Sequence, residues 1–330
     1  MPTESIVIVG EGEYRKAENI FTTAPDMRCI PAPAAEDEFS AIVRSHGARY
    51  AVVGIQPYRD ALYAVLPRGG VIARFGVGHD GIDKAKATAA GLLCTNTPGV
   101  LDESVAEHTL TLILAASRHF VPLASGLQAS LWTAKMGSEI SGKTLAIIGA
   151  GSIGKAVARI AAFGFGMHVV GCDRTSSLDE DAMRRSGIES VTDDFAAAVR
   201  EADYVSLHIP ATVANARFIN RERLALLAPQ CWLINTARGA VVDENALFDA
   251  LVSGQIRGAA LDVFEREPYV PSDPARDLRT LDNVVLTPHM ASNTVEANAR
   301  MAQRALQNIA LAQAGDFASM NLLNPEVLAR

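Results

Sequence analysis

The sequence predicts an α/β protein made of two doubly wound parallel sheets, and three observations carry that reading. Short β-branched runs alternate with helical stretches through about the first hundred residues, a long uninterrupted helical segment then breaks the rhythm, and a second alternating series follows. A chain of 330 residues, 49% hydrophobic, exceeds one ordinary domain, so two units with separate cores are expected.

In the first series "SIVIVG" (5–10), "MRCI" (27–30), "YAVVG" (50–54), "GVIARFG" (70–76) and "LLCTN" (92–96) read as short buried strands. Such alternation implies parallel strands joined by helical crossovers. From Asp102, "DESVAEHTLTLILAASRHF" runs about five turns without Gly or Pro, and its acidic start suits a helix amino terminus. It is read as one helix joining the two units. The second series comprises "KTLAIIG", "MHVVGCD", "ADYVSLHIP", "CWLINT", "GAALDVF" and "NVVLTP", with helical segments between them. Thr294 to Gly315 reads as an Ala-rich helix with apolar positions at Val295, Met301, Ala305 and Ile309. The Pro-rich pieces "PAPAAEDE" and "EPYVPSDPARD" read as surface loops.

Composition excludes several function classes. No apolar run approaches the roughly 20 residues needed to cross a bilayer, and Glu4 stands where a signal peptide carries positive charge. A cytoplasmic protein without a membrane partner is expected. Cys29, Cys94, Cys172 and Cys231 lie far apart with no ligand-like spacing, so neither a metal nor a disulfide framework is suggested. A formal charge of −7 argues against nucleic acid, which needs a basic patch to neutralise phosphates. Attraction for a small anion must then be local.

"LAIIGAGSIGKAVARIAAFG" sets Gly149, Gly151 and Gly154 in a G-x-G-x-x-G pattern where a strand turns into a helix. The strand "MHVVGCD" then ends in Asp173, about 20 residues on, which completes the dinucleotide fingerprint. Gly149 permits the turn, Gly151 leaves room for a pyrophosphate, and Gly154 lets helix and strand pack closely. The helix amino terminus offers N–H groups and partial positive charge. Asp173 can accept from both ribose hydroxyls and would repel a 2′-phosphate, which favours NAD over NADP. Arg174 beside it points the other way, since it could neutralise that phosphate.

Ligands of open α/β sheets bind beyond the carboxyl ends of strands. Those ends supply Thr236, Ala237 and Arg238 after "CWLIN", Asp262, Glu265 and Glu267 in "ALDVFEREP", and His289 in "LTPH". An arginine, a carboxylate and a histidine suit reversible hydride transfer at a 2-hydroxy acid. Arg238, among the small residues Ala237, Gly239 and Ala240, can grip a carboxylate bidentately. His289 can take the hydroxyl proton as the hydride leaves, with a neighbouring carboxylate fixing its tautomer. Spacing leaves Glu267 and Glu265 about even for that task. His208 in "SLHIP" is the rival histidine.

These motifs, in this order, resemble the D-isomer-specific 2-hydroxyacid dehydrogenases. The resemblance spans nearly the whole chain, through "GVGHDGID", "NTPGV", "SVAEHTL", the glycine motif, "LHIP", "NTARGAVVDENAL", "ALDVFEREP" and "LTPH". It implies a Rossmann NAD-binding domain, residues 102–288, inserted into a flavodoxin-like substrate-binding domain made of 1–101 and 289–330. It implies that Glu267, directly before Pro268, is the catalytic carboxylate, that His289 is the acid/base, and that Arg238 holds the substrate carboxylate. Val77 and Gly78 would meet the other end of that carboxylate through their backbone N–H groups. Gly149, Gly151, Ser152, Ile153, Gly154, Asp173, His208, Pro210, Thr236, Ala237, Arg238, Asp262 and His289 match positions lining the NAD site.

The substrate so implied is a small anionic 2-hydroxy or 2-oxo acid, and the implied assembly is a homodimer formed through the long helix and the arm around Trp132. Gln56, Pro57 and Tyr58 depart from the Arg-Ser-x-Thr-like stretch of phosphoglycerate-type members, which argues against a phosphorylated substrate, although Arg59 is a cation nearby. The chain ends soon after its last helix, so no regulatory domain is expected. Transcriptional corepressors also resemble this family, and the alternative reading is an NAD(H)-sensing binding protein without turnover.

Overall fold

The structure, a computed structural model, describes residues 4–174 and 180–329. The chain divides into two units, Met1–Leu101 with Asn293–Arg330, and Asp102–Ser292.

In the first unit the strands are β1 (Ser5–Gly10), β2 (Met27–Ala32), β3 (Tyr50–Val53), β4 (Val71–Arg74) and β5 (Leu93–Thr95). They pair in parallel in the order β2-β1-β3-β4-β5, the flavodoxin-like order. β3, β4 and β5 are buried along their whole length, which is why they read as unbroken apolar runs. The helix Val295–Ala314 packs against this sheet, and buried asparagines sew the tail behind it. Asn308 Nδ2 donates to the Asn96 carbonyl at 3.1 Å, and the Cys94 N–H donates to Asn324 Oδ1 at 2.9 Å. Asn324 Nδ2 completes the set at Leu92 O and Thr88 Oγ1, each at 2.9 Å. Two fully buried amides are thereby satisfied.

The second unit holds β6 (Thr144–Ile148), β7 (His168–Cys172), β8 (Ser190–Thr192), β9 (Tyr204–Leu207), β10 (Trp232–Asn235), β11 (Gly258–Leu261) and β12 (Val284–Leu286). Their order is β12-β11-β10-β9-β6-β7-β8, all pairs parallel. This is the dinucleotide-binding order with one further strand, and its order reverses between β6 and β9.

Three expectations need correction. The long helix does not run to Phe120. It spans Asp102–Ser117, and the chain turns at His119 (φ 52°) into a second helix, Phe120–Gln128, bent by 69° from the first. The Ser117 carbonyl, which would accept from the next turn, is taken by the Ser138 N–H at 2.9 Å. "PAPAAEDE" is not wholly loop, because Pro31 and Ala32 finish β2 and Glu36 opens the helix Glu36–Ser45. β2 is an edge strand, where a proline without an N–H is tolerated. The second boundary falls at Ser292/Asn293, four residues later than the expected 288/289. The N–H groups of His289, Met290 and Ala291 are all bonded to Asp262 at 2.7–2.9 Å, which keeps this segment with β11.

Among the described residues no single helix is long and apolar enough to cross a membrane. The bent pair passes that test only jointly, and its first helix buries Leu110, Leu112 and Ile113 in the core of the second unit.

Candidate active site

Parallel register sets the site. Ile148 pairs with Cys172 and Leu207, Leu207 with Asn235, Asn235 with Leu261, and Leu261 with Leu286. The first residues past these strands, Asp173, Gly149, His208, Thr236, Asp262 and Thr287, therefore stand in one row along the carboxyl edge of the sheet. This is the edge where open α/β sheets take ligands.

At the switch point the three glycines are required for three different reasons. Gly149 has φ +98°, and a Cβ there would lie 2.6 Å from the His208 carbonyl oxygen, where β9 crosses close to β6. A Cβ on Gly154 would meet the Gly149 carbonyl at 2.2 Å, so the helix Ser152–Arg159 can approach the strand only without one. At Gly151 nothing lies within 4 Å of the Cβ position, and the first turn of that helix takes no side-chain cap. Open space beside helix N–H groups fits a dinucleotide pyrophosphate. The Ser152 hydroxyl bonds the Asp102 carboxylate, which burial pushes above its ordinary range. Asp173 Oδ2 accepts the Ala150 N–H at 2.9 Å, which anchors the acid beside the cradle, while Arg174 is exposed.

On the far side of the row His289 Nδ1 meets Glu267 Oε2 at 2.6 Å. The other oxygen, Oε1, accepts the Phe264 N–H at 3.1 Å, so the carboxylate is held from behind. Both side chains are half-buried. His289 itself has φ +50°, a conformation costly for a residue with a Cβ, fixed by its N–H bond to the Asp262 carbonyl at 2.7 Å.

Glu265 turns the other way, its side chain toward Arg217 at 3.5 Å and its N–H to Glu244 Oε1 at 2.6 Å. The pair left even by spacing is thus separated by register. His208, the rival histidine, faces Ser206 Oγ at 2.8 Å, and burial pushes its imidazole down to about 4.

Arg238 stands at the end of β10. Its loop is braced by Asn235, whose Nδ2 donates to the Arg238 carbonyl at 2.9 Å and whose Oδ1 accepts the Ala237 N–H at 3.0 Å. Arg238 Nη1 donates to the Ala237 carbonyl at 2.7 Å. Thr236 shares a hydroxyl–hydroxyl bond of 2.9 Å with Thr109. A Cβ on Gly239 would stand 1.8 Å from the Phe264 carbonyl carbon and 2.5 Å from the Glu265 nitrogen. What the small residues around Arg238 admit is therefore protein backbone, that of the loop bearing Glu267.

Asp262, matched by resemblance to the cofactor site, is wholly enclosed. Oδ1 accepts from Thr287 Oγ1 at 2.6 Å and the Met290 N–H at 2.9 Å, Oδ2 accepts the Ala291 N–H at 2.9 Å, and His108 Nε2 lies 3.4 Å from Oδ1. Burial alone would raise its pKa, but these bonds hold it below the ordinary carboxylate value. Its place is beneath the His289 segment. Val77 and Gly78 belong to the first unit, half-buried past β4, where the Val77 carbonyl accepts from Asn96 Nδ2 at 2.8 Å. Pro210 is exposed, and its carbonyl accepts from Asn215 Nδ2 at 2.9 Å.

Sequence reasoning missed His108, Thr109, Asn235, Glu244 and Thr287 as supporting residues. All five stand inside motifs it had quoted, but only the fold shows what their side chains reach. No group of three or more potential metal ligands occurs among the described residues.

A dinucleotide cradle sharing its sheet edge with a carboxylate–imidazole pair is the layout of a nicotinamide-dependent oxidoreductase that moves a proton with a hydride. Residues 110–291 match the family model described as D-isomer specific 2-hydroxyacid dehydrogenase, NAD binding domain. The chain is 39% identical over 278 residues to the glyoxylate reductase of Korarchaeum cryptofilum, covering 82% of this chain and 81% of that one. Among solved structures it is similar to the D-lactate dehydrogenase of Aquifex aeolicus complexed with NAD and lactic acid, with a TM-score of 0.82, 26% identity, and 96% and 99% of the two chains covered. It is also similar to the NADPH-dependent glyoxylate/hydroxypyruvate reductase of Sinorhizobium meliloti in complex with NADP and malonate, with a TM-score of 0.78, 28% identity and 93% of each chain covered. The chain belongs to the D-isomer-specific 2-hydroxyacid dehydrogenase family, and its second unit contains that family's NAD-binding domain.

Proposed function

We propose that this protein interconverts a small D-2-hydroxy acid and its 2-oxo acid with NAD(H). The observation that carries the reading is the 2.6 Å contact of His289 with Glu267, on the same sheet edge as the glycine cradle. Bound NAD(H) would supply the hydride acceptor or donor. Gly151 leaves room for its pyrophosphate, Gly149 and Gly154 allow the turn and the close helix–strand approach that form the cradle, and the Ser152 and Ile153 N–H groups at the helix amino terminus would bind it. His208, Pro210, Thr236 and Ala237 border that site.

In the reductive direction His289 gives its Nε2 proton to the carbonyl oxygen of the 2-oxo acid, and in oxidation it takes that proton back. Glu267, bonded to Nδ1, fixes the tautomer and stabilises the imidazolium. Arg238 grips the substrate carboxylate in its guanidinium fork. The backbone N–H groups of Val77 and Gly78 are proposed as further donors to that carboxylate. Asp262 acts behind these groups and keeps the His289 segment in place.

Asp173 makes NAD the expected cofactor, because a fixed carboxylate accepts from ribose hydroxyls and repels a 2′-phosphate. Gln56, Pro57 and Tyr58 stand where phosphoglycerate-type members carry an Arg-Ser-x-Thr-like stretch, which favours a small uncharged substrate side chain over a phosphorylated one. Glyoxylate and hydroxypyruvate are the first candidates, in keeping with the relatives named above.

A homodimer is the proposed assembly. Phe120, Leu127, Leu131, Trp132 and Met136, on the arm after the long helix, are 57–91% exposed, an apolar face of the kind that a second copy covers. The reduced cytoplasm is the proposed compartment, since all four cysteines are free.

The test is NADH absorbance across glyoxylate, hydroxypyruvate, pyruvate, branched 2-oxo acids and phosphohydroxypyruvate. Turnover of one or more supports the proposal. A protein that binds NADH but turns over none would be a cofactor sensor instead.

A further inference from the structure

We propose that Glu244 is a positioning residue for the Glu267–His289 pair, clamping the loop that carries Arg238 to the loop that carries Glu267. The inference rests on the function proposed above, because it is that reading which gives the pair its task.

Glu244 opens the helix Glu244–Val252, whose amino terminus is already capped by Asp243 through the Ala246 N–H at 3.0 Å. A glutamate in a first helical turn ordinarily faces water and the helix dipole. Glu244 is instead only 6% exposed, and its Oε1 accepts the Glu265 N–H at 2.6 Å. Burying a carboxylate is costly unless it secures bonds of this kind.

The bond has a partner contact. Gly239, on the same loop as Glu244, packs its backbone on the Phe264 carbonyl and the Glu265 nitrogen. The first loop thus grips the Phe264–Glu265 peptide at two points. On the other side of the Phe264 Cα, in the preceding peptide, the Phe264 N–H reaches Glu267 Oε1, and Glu267 Oε2 meets His289. If the Glu244 bond is lost, the Phe264–Glu265 peptide keeps only its packing on Gly239, and the Phe264 N–H on the other side of the Cα holds Glu267 less firmly against His289.

The clamp also has a proton dependence. Burial pushes the Glu244 carboxyl up to about 7, its bond from the Glu265 N–H pulls the other way, and the like charges of Glu265 and Glu267 add to the rise. The groups facing it are Glu265, whose own side chain is turned to Arg217, Glu267 and Tyr269 from the loop after β11, and Asp243 on its own segment. Acidification through neutrality therefore turns a charged acceptor into a neutral, weaker one.

The experiment compares Glu244→Ala and Glu244→Gln with the unaltered protein. Reduction of glyoxylate and of hydroxypyruvate by NADH is followed across the pH range flanking neutrality, with NADH affinity measured by fluorescence. Glu244→Ala is expected to lower kcat about tenfold, the scale of one charge-assisted hydrogen bond, at unchanged NADH affinity. Glu244→Gln keeps an acceptor oxygen, so it should recover part of the rate and lack the acid-side fall near neutrality.

Two readouts need no turnover. The Glu265 amide should exchange with deuterium faster in Glu244→Ala. The melting temperature of Glu244→Gln should gain on that of the unaltered protein as pH rises. The sign follows from linkage: a carboxyl held above its unfolded value contributes stability that is full below that value and is lost as pH rises through about 7. Glu244→Ala with unaltered kcat, pH profile and Glu265 exchange would overturn the proposal, as would a melting difference that does not change with pH. If the unaltered protein reduces none of the 2-oxo acids, the proposed function fails, while exchange and melting still decide whether the clamp exists.

Discussion

His289 Nδ1 and Glu267 Oε2 stand 2.6 Å apart, although the two residues leave the sheet on different loops, after β12 and β11. That contact leaves Nε2 as the ring nitrogen available to a substrate oxygen. Replacing His289 by Ala should lower kcat by about 10²–10⁴, the usual worth of a positioned acid/base, with NADH affinity retained. Glu267→Gln should cost less, about 10–100-fold, as for other residues that orient a functional histidine. Steady-state kinetics with NADH titrations check both, and unchanged kcat in His289→Ala would remove that residue from the mechanism.

Arg238 offers a planar fork on a loop braced by Asn235 at 2.9 and 3.0 Å. Lysine keeps the charge but loses the second parallel bond to a carboxylate. Arg238→Lys is therefore expected to raise KM for the 2-oxo acid about tenfold or more and to leave KM for NADH near its original value. An unaltered substrate KM would argue against a carboxylate role.

Gly239 has no space for a side chain, because the nearest atoms to its missing Cβ belong to the backbone at Phe264 and Glu265. Backbone cannot rotate aside as a flexible side chain can. Gly239→Ala must displace the loop that bears Glu267, at a cost of about 1–3 kcal/mol for an overpacked site. Thermal melting should fall by roughly 2–4 °C per kcal/mol lost, and kcat should fall further than the stability loss explains. A variant with normal melting and activity would show that the two loops are not in contact.

Asp173 is anchored by the Ala150 N–H at 2.9 Å, so its charge is fixed at the end of β7. Asp173→Asn removes the repulsion of a 2′-phosphate while Arg174 stays beside it. The ratio of kcat/KM for NADH to that for NADPH should fall about tenfold, the value of one charge-assisted interaction. A clear NADPH preference in the unaltered protein would overturn the assignment at the outset.

The parts legible in the sequence were those where chemistry admits one residue type. Gly149 and Gly154 occupy positions where any Cβ would meet backbone within 2.6 Å, so the cradle is written in glycines. Strands buried on both faces appear as apolar runs, as β3, β4 and β5 do, and β1 and the edge strand β2 are legible from their apolar residues although neither is buried throughout. What could not be read was set by register across strands. Spacing alone leaves Glu265 and Glu267, two positions apart, even; the resemblance points to Glu267, and it is Glu267 that meets His289 while Glu265 turns to Arg217. β8 is three residues long at a sheet edge, too short to show a period. The turn at His119 comes with a bond from the distant Ser138 N–H to the Ser117 carbonyl, which no local pattern encodes. Asp262 has the residue type of a ligand contact, and only the fold shows its carboxylate enclosed and bonded to Thr287, Met290 and Ala291.

His208 gives a pH test whose sign is opposite to that of Glu244. Burial pushes its imidazole down to about 4 from the ordinary 6.5, so between those values the unfolded chain binds a proton that the folded chain refuses. Stability then rises with pH in that window and is lost as pH falls from 6.5 toward 4. In the folded protein the ring stays neutral, bonded to Ser206 Oγ at 2.8 Å, with its backbone packed over Gly149. His208→Gln cannot titrate, so its melting temperature should fall less on acidification than that of the unaltered protein. Glu244 gains stability over part of the same range, and the curve of the unaltered protein alone mixes the two. The difference between variant and unaltered protein isolates His208, and a difference independent of pH between 6.5 and 4 would mean that the imidazole is not held neutral there.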